Sequence, residues 1–139
     1  MSQTIVATVM TTPPITVPAQ ATVREALAVL ESLALRHLPV IDDEHRLLGV
    51  LSERELHSLF ASRIELTVDA PLLARAALGR HVSQVMIKDP VSIEAEAPLR
   101  EAIEKMLQTH LSALPVLRDG VVVGVLSYVD VLRAFHRLL

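Results

Sequence analysis

The sequence predicts an α/β (α+β) fold, two tandem β-α-β-β-α repeats packed with pseudo-two-fold symmetry. Three observations carry that prediction: an internal repeat, strand and helix patterns that recur in the same order in both halves, and an apolar core composition almost without aromatics. Residues 6–60 align with 82–135 at an offset of 76, which falls to 75 after a one-residue gap near Glu44. Matched pairs include Val9/Val85, Met10/Met86, Pro14/Pro90, Arg24/Arg100, Glu25/Glu101, Leu38/Leu114, Pro39/Pro115, Gly49/Gly124, Ser52/Ser127 and Phe60/Phe135. They fall at turns and caps as well as at core positions, so shared hydrophobic patterning does not account for them. The chain divides into a first repeat over 1–60, a connector over 61–81 and a second repeat over 82–139.

Each half opens on a short apolar strand, Ile15 to Val17 and Val91 to Ile93. A helix follows; in the first repeat Val23, Leu27, Leu30 and Ala34 share one face, and Thr22 with Glu25 makes a capping box. Two strands come next, Leu38 to Ile41 and Leu47 to Leu51, turned by Asp42-Asp43-Glu44-His45. Their counterparts are Leu114 to Leu117 and Val121 to Leu126, turned by Arg118-Asp119-Gly120. A last helix starts at Ser52 or Ser127 and runs to about Phe60 or Phe135. In the connector, Ala70 to Leu78 reads as a helix with Asp69 or Thr67 as cap, Pro71 in its first turn and Gly79 as its stop. Leu72, Leu73, Ala76 and Ala77 make it too apolar for a solvated linker.

A chain of 139 residues buries roughly two-thirds of its unfolded surface, enough for a core without disulfide or metal. Hydrophobic residues make up 51% and aromatics 2%, so that core is built from Leu, Val, Ile and Ala. A net charge of −3 gives no basic footprint for a phosphate backbone, which argues against nucleic acid. The absence of cysteine excludes disulfides and thiolate chemistry. Residues 2–23 carry no charge before Arg24, yet Pro13, Pro14 and Pro18 interrupt them and no basic region precedes them. The reading is a cytoplasmic protein without membrane association. The mean hydropathy of +0.44 implies apolar surface left for a second copy, a homodimer.

The strongest local motifs are Gly49-Val50-Leu51-Ser52-Glu53-Arg54-Glu55 and Gly124-Val125-Leu126-Ser127-Tyr128-Val129-Asp130. In both, a strand ends at a serine placed to open a helix, where free N–H groups and the positive end of the helix dipole favour an anion. In the first half, Ser52 with Glu55 also reads as a plain capping box, worth about 1 kcal/mol and implying no ligand. With four glycines, no phosphate-binding loop can be built, and no Ser/His/Asp set sits in a nucleophile context, so the chain reads as a non-enzyme. His45, His57, His81, His110 and His136 lack metal-ligand spacing.

In the order and repetition of these motifs the chain resembles the CBS (cystathionine-β-synthase-type) domains, with Leu38-Pro39-Val40 and Leu114-Pro115-Val116 as the central strands and the two serine motifs opening the last helices. The likeness covers nearly the whole chain, and its layout is similar to the short acetoin-utilisation CBS proteins. The resemblance implies a regulatory module that needs no cofactor and takes an adenine nucleotide (AMP, ADP or ATP) or another adenosyl ligand, S-adenosylmethionine or NAD, in a cleft between the halves. It implies a main site of Ser127 on phosphate and Asp130 on the ribose hydroxyls, with Thr16, Arg36, His37 and Pro39 from the first repeat and Tyr128 beside the phosphates. A second, weaker site combines Ser52 and Glu55 with Ser92, Ser112, Ala113 and Pro115. Its weakness is read from Glu55, longer than Asp and committed to a cap, and from neutral Ser112-Ala113 in place of the basic Arg36-His37 pair. Arg36 also reads as a solvated helix-end cation, His37 as structural, and Tyr128 as a packing residue. The alternative function is a dimerisation module without ligand. The second repeat ends four residues before Leu139, so regulation is expected to act through a separate, unknown regulated protein or through oligomeric state.

Overall fold

A computed structural model describes residues 3–54, 56 and 75–139. The fold is α+β, with one small sheet in each of two compact units, Ile15–Pro90 and Met1–Pro14 with Val91–Leu139.

In the first-repeat unit the sheet runs β1 (Val17–Pro18), β2 (His37–Ile41), β3 (Leu47–Ser52) and β4 (Ile87–Lys88) in spatial order. β1 pairs parallel to β2, with Val17 beside Val40, and β2–β3 is an antiparallel hairpin with His37 opposite Ser52. The first strand thus begins two residues later than its apolar pattern indicated. Between β1 and β2 lies α1 (Val23–Ser32), capped by Thr22, whose hydroxyl accepts the Glu25 N–H at 3.2 Å. α1 buries Val23, Ala26 and Leu30 at i, i+3 and i+7 against Leu38, Val40 and Leu51. Ala34, expected on that face, is exposed and lies past the helix end. There it takes φ 53° while the Leu35 N–H reaches back to the Leu30 carbonyl at 2.9 Å, the Schellman closure. Glu53, Arg54 and Leu56 are helical, and Leu56 is buried in the core. Glu55 and residues 57–60 of that expected helix lie outside the described residues, as do connector residues 61–74. Of the expected connector helix, residues 75–78 are helical, with Ala77 buried and Ala76 exposed.

In the second-repeat unit β5 (Ile93–Glu94) pairs parallel to β6 (Ala113–Arg118), which forms an antiparallel hairpin with β7 (Val121–Ser127). Asp119 and Gly120 turn that hairpin with φ 54° and 80°, both positive as a type I′ turn requires. α2 (Leu99–Thr109) buries Leu99, Ala102 and Met106 against Leu114, Val116 and Leu126, repeating the α1 pattern. It ends on His110 at φ 58°, the counterpart of Ala34. α3 (Tyr128–His136) follows Ser127 directly. Among the described residues no helix is long and apolar enough to cross a membrane.

Packing boundaries and repeat boundaries do not coincide. The segment that opens the first repeat, up to Pro14, packs in the second-repeat unit, and residues 82–90, which open the second repeat, pack in the first-repeat unit. The exchange is reciprocal bond for bond. Leu99 N–H donates to the Thr4 carbonyl at 2.8 Å, as Val23 N–H does to Arg80 at 2.9 Å. Val6 N–H reaches Ala97 at 2.9 Å, as Val82 N–H reaches Ala21 at 2.8 Å. Thr11 exchanges both backbone bonds with Val125, as β4 pairs with β3 through Ile87 and Val50. Each leading segment therefore satisfies a first helical N–H and covers a strand edge that would otherwise be open.

This seating requires two bare backbone positions. A Cβ on Gly124 would stand 2.5 Å from Met10 Sδ and 2.9 Å from the Thr11 carbonyl oxygen; one on Gly49 would stand 2.6 Å from both the Ile87 carbonyl oxygen and Met86 Sδ. Gly49→Ala and Gly124→Ala are each expected to cost about 1–3 kcal/mol as overpacking. Gly49→Ala should be the worse, because its tightest obstacle includes backbone rather than a mobile thioether. Urea denaturation of the two variants checks the order, and equal midpoints with the parent protein would refute the seating.

Candidate functional site

β7 runs straight into α3, and the junction is built by Ser127 and Asp130. Ser127 is extended (φ −113°, ψ 167°) and its hydroxyl accepts the Asp130 N–H at 3.3 Å. In return Asp130 Oδ2 accepts the Ser127 N–H at 2.9 Å and the Ser127 hydroxyl at 3.0 Å, a complete capping box. Asp130 Oδ1 accepts the Thr11 hydroxyl at 2.9 Å, and Arg133 Nη1 stands 3.6 Å from it. Asp130 is 4% exposed, so these partners supply what water would otherwise give a buried carboxylate. The sequence-based contrast, in which only Glu55 is committed to a cap, does not hold, because Asp130 caps as well.

Beside this carboxylate lies a cavity of about 280 Å³, bounded by residues Thr8 to Thr12 on one side and by Asp130, Arg133, Ala134 and Arg137 on the other. Of the three lining threonines, Thr11 donates its hydroxyl to Asp130, while Thr8 and Thr12 donate theirs to the Ile5 and Val123 carbonyls at 2.8 and 2.9 Å. The lining carries two arginines and a single carboxylate, an excess of positive charge that suits a phosphate or another anion.

The other predicted residues fall into local groups. In the first-repeat unit Thr16 is half-buried just ahead of β1, and Arg36 is exposed, its carbonyl accepting the Glu53 N–H at 2.8 Å. His37 is half-buried opposite Ser52, itself buried, and Pro39 is buried in mid-strand. In the second-repeat unit the Ser112 carbonyl accepts the Tyr128 N–H at 3.0 Å, Ala113 sits opposite Ser127, and Pro115 is buried. The Ser92 carbonyl accepts Lys105 Nζ at 2.8 Å, and Tyr128 is exposed. Both repeats thus tie the start of their last helix to the residue two before the Leu-Pro-Val leucine. Sequence reasoning missed Thr11, Arg133 and Arg137. The arginines lie three and seven residues after Asp130, a helical spacing that could have flagged them; Thr11 is brought in only by the segment exchange.

Burial, and then the Arg36 charge, hold the His37 imidazole below its ordinary value of 6.5. It is neutral at pH 7 and offers a hydrogen-bonding ring rather than the cation the sequence allowed. Among the described residues no cluster of His, Asp and Glu is placed to hold a metal ion.

The CBS domain family profile matches residues 6–62 and 82–137. An A-adding tRNA nucleotidyltransferase of Aquifex aeolicus is 30% identical over 126 residues, 91% of this chain but 14% of that enzyme's length. Its enzymatic name therefore attaches to a protein of which this chain spans a small part. A protein assigned to acetoin utilization (AcuB) from Vibrio cholerae is 27% identical, with a TM-score of 0.81 over 99% of this chain and 93% of that one. The structure of CBSX2 in complex with AMP is 28% identical, with a TM-score of 0.81 over 96% of this chain and 97% of that one.

His37 also sets a pH dependence. Its folded pKa lies below the unfolded value, so its contribution to stability is full above pH 6.5 and is lost as pH falls through 6.5 toward the folded pKa. Urea midpoints at pH 7.5 and 5.5 should fall less in His37→Gln than in the parent. An equal fall in both would contradict the burial argument.

Proposed function

Because the chain belongs to the CBS-domain family, we propose that it is a regulatory, non-enzymatic module that binds an adenosine-containing ligand and passes its occupancy to a partner protein or to its own oligomeric state. The observation that carries this is the cavity beside Asp130, where Arg133 and Arg137 add two cations to the Ser127/Asp130 motif. The AMP complex of CBSX2 supports an adenine nucleotide. The two arginines favour AMP, ADP, ATP or NAD over S-adenosylmethionine, whose sulfonium is positively charged. Thr16, Arg36, His37 and Pro39 are carried in the proposal as the first repeat's share of the main site, with Tyr128 beside Ser127.

One strong site is favoured over two. The sequence places Ser58 and Ser62 where α3 has Arg133 and Arg137. Ser52 and Glu55, with Ser92, Ser112, Ala113 and Pro115, form the weaker second site of the proposal.

α3 supports the homodimer. Its one buried residue is the carboxylate Asp130, while Val129, Leu132 and Phe135 are 59%, 67% and 48% exposed. An apolar face turned to solvent on a helix whose acid is buried is a face for a partner surface. A ligand-free dimerisation module is the second reading, favoured by the saturation of Asp130 within the chain itself.

A thermal-melt panel of AMP, ADP, ATP, NAD and S-adenosylmethionine separates the two readings. Ligand at 100 times its Kd should add about 2.7 kcal/mol, several degrees in Tm for a chain of this size. No shift across the panel would sink the sensor reading. Arg137→Ala should weaken AMP about tenfold, the order expected for a charge-assisted bond, and leave adenosine unchanged. Sedimentation should show a dimer that Leu132→Lys converts to monomer; a wild-type monomer would remove the dimer from the proposal.

A further inference from the structure

The Asp130 carboxylate has about four acceptor positions. Ser127 fills two on Oδ2, the Thr11 hydroxyl fills one on Oδ1, and Arg133 faces the remainder at 3.6 Å. With the residue 4% exposed, a ribose diol donating two hydrogen bonds finds no vacant pair. Something already bound must yield. The Ser127 bonds hold the α3 cap, and losing them frays the helix. The Thr11 backbone is fixed by its two bonds to Val125, at 2.9 and 3.0 Å, but its hydroxyl leaves by a single χ1 rotation.

Resting on the nucleotide reading above, we propose that Thr11 is an affinity- and specificity-setting residue, an internal stand-in for a ribose hydroxyl that the ligand must displace from Asp130. Thr11 keeps the buried carboxylate satisfied when the site is empty and raises the ligand concentration needed to fill it. A ligand with both ribose hydroxyls displaces it, and one without them does not. The device belongs to one repeat, because Ile87, at the matching position of the other, has no hydroxyl to offer.

Calorimetric titration of the full chain with AMP and with 2′,3′-dideoxy-AMP tests this. Thr11→Val should bind AMP about tenfold tighter than wild type, the order of one hydrogen bond to a charged group, with dideoxy-AMP unchanged and Thr11→Ser close to wild type. Should the valine not fold, Thr11→Ala is read the same way. The wild-type Thr11 methyl resonance gives an independent measure, moving with AMP and staying in place with dideoxy-AMP. AMP binding that is intact in wild type and unchanged or weaker in Thr11→Val overturns the proposal alone, as does equal tightening of both nucleotides. No AMP binding by wild type overturns the proposal together with the nucleotide reading.

Discussion

The close approach of Met10 to Gly124, and of Met86 to Gly49, is the constraint on which both units depend. Each leading segment finds its place only because a strand of the other repeat carries no side chain where the methionine lies. Once seated, it supplies a carbonyl to the first turn of a helix and a pairing partner to an exposed strand edge. Neither compact unit is therefore a contiguous stretch of its own repeat. The chain passes from one to the other at Pro14–Ile15 and again at Pro90–Val91.

The candidate site is a consequence of that exchange. α3 by itself would hold Asp130 only in a capping box, and a buried carboxylate satisfied on one oxygen is costly. The first repeat's leading segment lays Thr11 against the other oxygen and, with Thr8 and Thr12, makes one wall of the cavity. Among the described residues the two units share their strand pairings and the seating of a leading segment, but not the side chains at matching positions of the sequence. Where one has threonine, aspartate and two arginines, the other has Ile87, Glu55, Ser58 and Ser62. The asymmetry that the sequence located in Glu55 and the Ser112-Ala113 pair is broader than those residues.

What was legible in the sequence followed from local rules. The hairpin turns, the Thr22 and Ser127 caps and the apolar faces of α1 and α2 depend on residues within a few positions of one another. The repeat alignment paired Met10 with Met86 and Gly49 with Gly124 without disclosing that each methionine packs on the glycine of the opposite repeat, since a periodicity carries no information about which copy a segment joins. Ala34 was misplaced because apolar spacing extends smoothly past a helix end that is set by a left-handed residue. Thr11 was missed for the deeper reason that its partner lies 119 residues away. Asp130 was recognised by its motif, but the motif does not show that its oxygens are already occupied.

The proposal is one strong nucleotide site anchored on Asp130 and the exchanged N-terminal segment, with a weaker second one. An amide correlation spectrum of the full chain, titrated with AMP to saturation, tests it most directly. The account predicts large shifts at Thr8 to Thr12 and at Ser127 to Arg137, with small ones at Ser52, Ile87 and Lys88. Shifts of equal size in both sets, or shifts that spare Thr11 and Asp130 while others move, would contradict it.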